Sequence, residues 1–276
     1  MSTTTAVLPA TTRRFDHAGA SLTNVVRSEW TKLWSVRSTR WTLLILIVAT
    51  VGVSVLASWG TTANLARLSA HDRATLDPTY ESMAGLALGQ LAIAVLGVLV
   101  VTTEFSTGGI KPTLTAVPNR VRVLAAKGIV FAVVAIVIGI MTAFAVFYAA
   151  MPFWAHHNLG AHLGDPGVLR AVIGAGLYML ASGMFGFALG TVIRHTAGAI
   201  TAAVALLLVV PPLLNLLPGT WGKDIFKIFT SNAGAMITST IPADDRLSPW
   251  AGYMTMTIWW AVPLIIGAYL LKRRDT

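Results

Sequence analysis

Residues 128–151 read GIVFAVVAIVIGIMTAFAVFYAAM, a run of 24 residues without a charged side chain. An α-helix rises about 1.5 Å per residue, so about 20 apolar residues are enough to cross the hydrocarbon core of a bilayer. This stretch alone therefore predicts a transmembrane helix.

The remaining charged residues divide the chain into further stretches of the same kind. Each stretch is long enough for one spanning helix: Trp41–Ala66, Ser82–Thr103, Gly128–Gly164, Ala171–Ile193, His195–Gly222 and Leu247–Leu271. We therefore expect an all-α membrane protein whose six-helix transmembrane domain covers 41–272. The expected spans are about 41–59, 83–103, 124–151 (ended by Pro152), 169–193, 197–217 and 250–271. Outside them we expect a disordered tail at 1–20, an amphipathic helix at 21–40 and a short tail at 273–276.

The composition agrees with a membrane protein and excludes several other classes. Of the 276 residues, 55% are hydrophobic and only 11% are charged, whereas a soluble domain carries about 25% charged residues. The mean hydropathy is +0.71. The chain has no cysteine, so disulfides, thiolate metal sites and cysteine nucleophiles are excluded.

The basic residues are distributed unequally between the two sets of loops. Of the 20 Lys and Arg residues, 14 belong to Met1–Arg40, Glu104–Lys127, Arg194 and Lys272–Thr276. This asymmetry follows the positive-inside rule and predicts that both termini are cytoplasmic. The net charge of +9 is thus a topology signal, and we expect no nucleic-acid partner.

The spans lack the ionisable groups on which pumps and ion-coupled transporters depend. The polar residues near their centres are neutral, namely Gln90, Thr142, Ser182 and Asn215. The chain has no HExxH, GxSxG or P-loop motif, so we expect neither an enzyme nor a cofactor-binding protein. His156, His157 and His162 share one loop and could bind a transition metal, but loop histidines without acidic or sulfur ligands favour an incidental cluster.

The segment before the first span has a helical period. Leu22, Val25, Val26, Trp30, Leu33 and Trp34 recur at three- and four-residue steps, and Ser21 is a suitable N-cap. A helix with two tryptophans on one face suits the membrane interface, so the lipid bilayer is its expected partner. The alternative is a soluble helix packed on a partner protein.

Small residues predict close contacts between helices. Gly85 and Gly89 have GxxxG spacing, and Gly176, Gly183 and Gly190 are seven residues apart. Such positions allow another helix to approach closely, either within the chain or across a dimer. A second amphipathic piece, with Trp221, Ile225, Phe226, Ile228 and Phe229, is expected to rest at the outer interface.

The loop Glu104–Lys127 is the most distinctive segment. Gly108 and Gly109 turn the chain, Pro112 can start a short helix and Pro118 can end it. Glu104 is the only acid between Glu81 and Asp165, so we expect it to pair with a base or to cap backbone N–H groups.

This loop resembles the first cytoplasmic loop of ABC transporter permeases of the type-2 exporter class. The resemblance is carried by Glu104-Phe105, Gly108, Ile110-Lys111, Leu114-Thr115-Ala116, Pro118, Arg120 and Leu124-Ala125-Ala126-Lys127. The start, Arg27–Trp41, is similar to the connecting helix of bacterial, particularly actinobacterial, members, and Ser231-Asn232-Ala233-Gly234 is also similar to them. Gly109 and Pro112 depart from the commoner Thr or Ser.

The resemblance implies a permease subunit in the bacterial plasma membrane. It would pair with a cytoplasmic ATPase subunit, which binds ATP and Mg²⁺, and with a second permease copy or a related permease. The implied ATPase-coupling residues are Glu104, Gly108, Ile110, Lys111, Leu114, Val117 and Arg120. Two alternatives stay open from the residues: a non-transporting anchor or sensor that binds an ATPase, and an independent channel.

Overall fold

The computed structural model describes residues 21–106, 120–214, 216, 220–241 and 246–273. Within these ranges the chain is helical and has no strand. The helices are α1 Leu22–Ser35, α2 Arg37–Ala63, α3 Ala70–Ala74, α4 Pro78–Ser82, α5 Leu86–Ser106, α6 Arg120–Ala155, α7 Val168–Ile193, α8 Thr196–Leu214, α9 Thr220–Ile228, α10 Thr230–Ala235 and α11 Pro249–Arg273. The expected tail at 1–20 and residues 274–276 lie outside the described part.

Six of these helices are long and apolar enough to cross a membrane: α2, α5, α6, α7, α8 and α11. Within the described residues, the expectation of an all-α chain with six helices long and apolar enough to span a membrane is therefore confirmed. We call the end of the bundle that carries α1, Lys127 and Arg273 the basic end, and the other end the opposite end.

The helices α2 and α6 extend beyond the apolar stretches that predicted them, whereas α5 begins at Leu86 rather than 83. The segment expected as one helix at 21–40 is two, because Val36 adopts extended backbone (φ −81°, ψ 110°) and α2 already begins at Arg37. The third long helix, α6, begins at Arg120 rather than 124. Polar side chains end the apolar run but do not interrupt backbone hydrogen bonding, so hydropathy underestimates helix length.

The expectation that Pro152 ends the third span is wrong. Pro152 lies inside α6, which continues to Ala155. Proline lacks the N–H that would bond the preceding turn. Only three residues follow Pro152 in the helix, so the disruption is confined to its last turn.

The helix α7 forms the centre of the bundle and packs against α5, α6 and α11. Its small residues allow these helices to approach closely. The five glycines expected at helix contacts all lie against a neighbouring element: Gly85 and Gly89 against Thr50, Gly176 against Ile140, Gly183 against Ile93 and Phe131, and Gly190 against Val98.

The first spanning helix, α2, turns its polar side inward. Thr50, Ser54, Ser58 and Thr62 recur every four residues and are fully buried or nearly so. The Ser54 hydroxyl accepts a hydrogen bond from the Gly85 backbone N–H at 3.0 Å. The apolar residues Leu44, Ile45, Val48 and Leu56 are exposed on α2, as expected for a face in contact with lipid.

The helices α9 and α10 form a pair at the opposite end whose connecting turn packs against α11, and we call them the re-entrant pair. The indole Nε1 of Trp259 donates to the Ile228 carbonyl at 2.9 Å, and its ring lies 5.0 Å from that of Phe229. Trp259 is ten residues into α11, which is roughly 15 Å from its first residue. The turn between α9 and α10 therefore packs against α11 about three turns from the start of that helix.

Candidate functional site

Four charged side chains meet at the basic end of the bundle, and we call them the charge cluster: Glu29, Lys32, Glu104 and Lys127. The Lys127 ammonium lies 2.5 Å from Glu29 Oε2 and 2.9 Å from Glu104 Oε1. Lys32 lies 2.7 Å from Glu29 Oε1 and 3.3 Å from Glu104 Oε1. Each base contacts both acids, so the cluster is a closed ring with no net charge.

Three helices contribute to the charge cluster. Glu29 lies between Val25 and Leu33 on the buried face of α1. One turn before Glu29 in α1, Val25 packs against Val123 and Ala126 of α6. This contact brings Glu29 close to Lys127, which lies two turns after the start of α6. Glu104 comes from the last turn of α5. The cluster thus joins α1, α5 and α6 through side chains distant in sequence.

Burial and pairing act on these charges in opposite directions. The Glu29 side chain is 4% exposed and that of Lys127 10%, whereas that of Lys32 is 45% exposed. Burial alone would raise the pKa of the Glu29 carboxyl, but Lys127 and Lys32 outweigh it and hold the pKa below its usual value. Burial would likewise lower the pKa of Lys32, but Glu29 and Glu104 raise it above its usual value. Glu29 and Lys32 therefore remain charged near neutral pH.

The charge cluster holds the two ends of the 104–127 segment together. Glu104 lies at its start and Lys127 at its end, and both contact α1. A displacement of this segment must therefore move α1, α5 and α6 together, since separating them would leave a charge unpaired in a buried site.

Further contacts close the basic end around the charge cluster. The Arg194 guanidinium lies 5.3 Å from the centre of the Phe105 ring, a cation–π contact. Arg120 donates to the Leu271 carbonyl at 3.4 Å, so the start of α6 is joined to the end of α11. Phe105, Arg120 and Leu271, together with Val101 and Leu124, line a small cavity of about 30 Å³ beside Glu104.

The structure locates only some of the residues expected at the coupling loop. Glu104 belongs to the charge cluster, and Arg120 is the first residue of α6. Glu104 pairs with the bases Lys32 and Lys127, so the expectation that it pairs with a base is confirmed. Gly108, Ile110, Lys111, Leu114 and Val117 lie outside the described residues.

The apolar face expected on α1 divides into two parts. Leu33 is buried and Val26 is half-buried, but Trp30 and Trp34 are exposed and contact each other with ring centres 6.0 Å apart. The buried stripe instead includes Glu29, which the sequence reasoning missed. Two signals mark Glu29: it lies four residues from both Val25 and Leu33, and it is the only acid between Asp16 and Asp72.

Of the four polar residues expected near the span centres, three have local partners. The Tyr178 hydroxyl donates to Gln90 Oε1 between α7 and α5. Thr142 and Ser182 donate to backbone carbonyls four residues earlier in their own helices. Asn215 lies outside the described residues.

The loop histidines are not brought together with acidic side chains into a metal site. His156, His157 and His162 are exposed, and His157 Nδ1 lies 3.1 Å from the Phe153 carbonyl. Within the described residues, no three His, Cys, Asp or Glu side chains are grouped as metal ligands would be.

A second polar site lies at the opposite end, around the buried carboxylate of Asp77. It accepts six hydrogen bonds, two from Thr79 and Tyr80 N–H groups that it caps and four from Ser239–Ile241. Arg170 donates to the carbonyls of Ile237 and Ser239 from α7. The segment 239–241 is thereby bonded both by Asp77 and by Arg170.

No model of a known protein family matches the chain, and no curated protein matches it either.

Proposed function

We propose that this chain is the permease subunit of an ABC exporter, which works with a separate ATPase subunit bound at the basic end. The permease forms the translocation path together with a second permease copy. The basic end is cytoplasmic, because 14 of the 20 basic residues belong to it or to segments adjoining it in sequence. The ATPase subunit binds ATP and Mg²⁺ and hydrolyses the ATP.

The charge cluster is the observation that carries this proposal. It ties both ends of the 104–127 segment to α1 through ion pairs that are largely buried (Glu29 with Lys127 at 2.5 Å). A segment that is moved by ATP hydrolysis in the ATPase needs such a rigid connection, because the connection transmits the movement to the spanning helices. A buried ion pair provides it, because moving one partner alone leaves an uncompensated charge.

Two further features, one in the spans and one on α1, support the proposal. The polar residues expected at mid-membrane are neutral, and Gln90, Thr142 and Ser182 are bonded to their neighbours, which favours an energy source other than a proton relay. On α1, Trp30 and Trp34 are exposed on the flank of the buried stripe, and we place this flank in the headgroup region of the inner leaflet.

The decisive experiment is reconstitution with a P-loop ATPase sought among the products of the genes that flank this one. Glu104→Ala removes the carboxylate between Lys32 and Lys127 and is expected to leave ATPase binding intact while abolishing substrate-stimulated ATP hydrolysis. Leu114→Asp is expected to weaken ATPase binding, since it puts a charge on the apolar segment that the resemblance assigns to the ATPase contact. Ser106→Ala is the matched control, because Ser106 is an exposed residue two positions after Glu104.

The outcomes separate the competing functions. Flux of a substrate into vesicles that depends on ATP supports the exporter. Binding of the ATPase without any flux would favour a membrane anchor or sensor. Wild-type association and hydrolysis in both variants would show that this loop is not the coupling element.

A further inference from the structure

A large open cavity lies at the opposite end of the bundle, away from the charge cluster. Its volume is about 970 Å³, which falls in the range of about 300–1,000 Å³ typical of ligand pockets. One wall is formed by α3 and α4 and the other by the re-entrant pair α9 and α10. We call it the vestibule; its lining includes Asp72, Leu76, Tyr80, Glu81, Lys223, Phe226, Lys227, Asn232, Ala235 and Met236.

The vestibule reaches from the end of the bundle into the depth of the spanning helices. Lys227 is the residue before Ile228, whose carbonyl is bonded by Trp259, roughly 15 Å along α11 from its first residue. Lys227 is half-buried, and its pairing with exposed Asp224 at 3.6 Å is weak. A half-buried lysine that lines a cavity and has only a weak partner can bind an anionic group of a ligand.

The charges on the two walls of the vestibule are opposite. Lys223 and Lys227 are four residues apart, so they lie on the same side of α9, and both line the cavity. The facing wall carries the acids Asp72, Asp77 and Glu81, and Arg246 also lines the cavity and interacts with Glu81. Burial and the nearby Asp77 raise the pKa of Glu81, and Arg246 only partly opposes them, so a further cation beside Glu81 would stabilise its ionised form.

The helix α9 also has an apolar side that points away from the vestibule. Trp221, Ile225 and Ile228 recur at four and three residues and are 53%, 38% and 51% exposed. Trp and Ile on one side and two lysines on the other are typical of a helix at a lipid surface. The basic wall of the vestibule is therefore also its boundary with the lipid.

We propose that the vestibule binds the headgroup of a zwitterionic phospholipid, with its phosphate at Lys223 and Lys227 and its ammonium at Asp72 and Glu81. The acyl chains pass beside Ile225 and Ile228 into the surrounding leaflet. The identification of this leaflet as the outer one rests on the orientation given under the proposed function. The binding itself depends on neither that orientation nor coupling to an ATPase.

Binding can be measured on the full chain in detergent, because a cysteine-free protein allows single reporter cysteines. Ala235→Cys places a thiol in the vestibule, and Ala66→Cys is an exposed control at the same end but outside the lining. The rate of maleimide labelling is followed with short-chain phosphatidylethanolamine, with phosphatidylglycerol of the same chain length, and with soluble phosphoethanolamine. We expect phosphatidylethanolamine to slow labelling at least fivefold at position 235 and not at position 66.

Charge variants in the Ala235→Cys background test the two walls. Lys227→Gln is expected to abolish protection, whereas Lys272→Gln, an exposed lysine at the basic end, is expected to leave it unchanged. Glu81→Gln is expected to remove the preference for phosphatidylethanolamine over phosphatidylglycerol.

Three results would overturn the proposal. Equal protection by phosphatidylethanolamine and phosphatidylglycerol in the Ala235→Cys chain without a charge variant would show that the acidic wall does not select the ammonium group. Equal protection by phosphoethanolamine at the same concentration would identify a soluble ligand instead of a lipid. Absence of protection by any of the three would show that the vestibule does not bind this chemistry. None of these results would bear on ATPase coupling, so the two proposals fail separately.

Discussion

Lys127 and Glu29 are 98 residues apart in the chain, yet the lysine ammonium lies 2.5 Å from a carboxylate oxygen of the glutamate. Both side chains are almost fully buried. Two charges removed from water in this way must stay together, since each compensates the burial of the other. This pair is therefore the firmest link between α1 and the spanning helices.

The first prediction concerns the stability contributed by this pair. Lys127→Met should lower the free energy of unfolding by about 3 kcal/mol, because it leaves Glu29 buried beside one partly exposed base. Lys32→Met should cost less than about 1 kcal/mol, since the Lys32 side chain is 45% exposed and its ion pairs are screened by solvent. Unfolding in mixed micelles measures both. Equal losses would contradict the asymmetry of burial.

The second prediction concerns pH. The pKa of Glu29 is held below its usual 4.5, so its contribution to stability is present above pH 4.5 and is lost as pH falls through the lowered value. The pKa of Lys32 is raised above its usual 10.5, so its contribution is present at pH 10.5 and below and is lost as pH rises through the raised value. We expect the stability difference between the wild type and Glu29→Gln to be constant from pH 6 to 9 and to shrink below pH 4.5. A difference that shrinks between pH 6 and 9 would argue against this ion pairing.

The third prediction concerns membrane orientation. A cysteine at Ala70, which is exposed on α3, and one at Ser239 should react with an impermeant reagent added to intact cells. Ser239 should react more slowly, because it is half-buried beside Asp77. A cysteine at Ser106, which is exposed at the end of α5, should react only after the cells are opened. The reverse pattern would invert the topology.

The fourth prediction concerns the carboxylate of Asp77. Asp77→Ala should lower the free energy of unfolding by about 2–4 kcal/mol, because six hydrogen bonds are lost and several buried donors are left unpaired. Asp72→Ala is the control: Asp72 is exposed and its side chain bonds only Ser69, so a change within about 0.5–1 kcal/mol is expected. Labelling of a cysteine at Thr240 should also accelerate in the Asp77 variant. A stability loss no larger than that of Asp72→Ala would show that Asp77 does not hold the 239–241 segment.

The α1 helix shows how far a periodic pattern can be read. Its apolar positions and its cap at Ser21, whose hydroxyl accepts from the Asn24 N–H at 3.3 Å, predicted a helix in the right place. The same pattern put Trp30 and Trp34 on one face with Leu33, but the buried stripe runs through Glu29. A hydrophobicity pattern assigns a carboxylate to solvent; only the ammonium of Lys127 on another helix makes its burial favourable.

The sequence by itself determined the number and the kind of the spanning helices. In lipid each backbone polar group must be bonded within its own segment, so a sufficiently long apolar run has to form a helix wherever it lies in the chain. The tertiary structure alone decided which residues meet: Glu29 with Lys127, Asp77 with Ser239–Ile241, and Ile228 with Trp259. These contacts depend on how the helices pack against one another, and the local composition of each segment carries no information about the partner it will find.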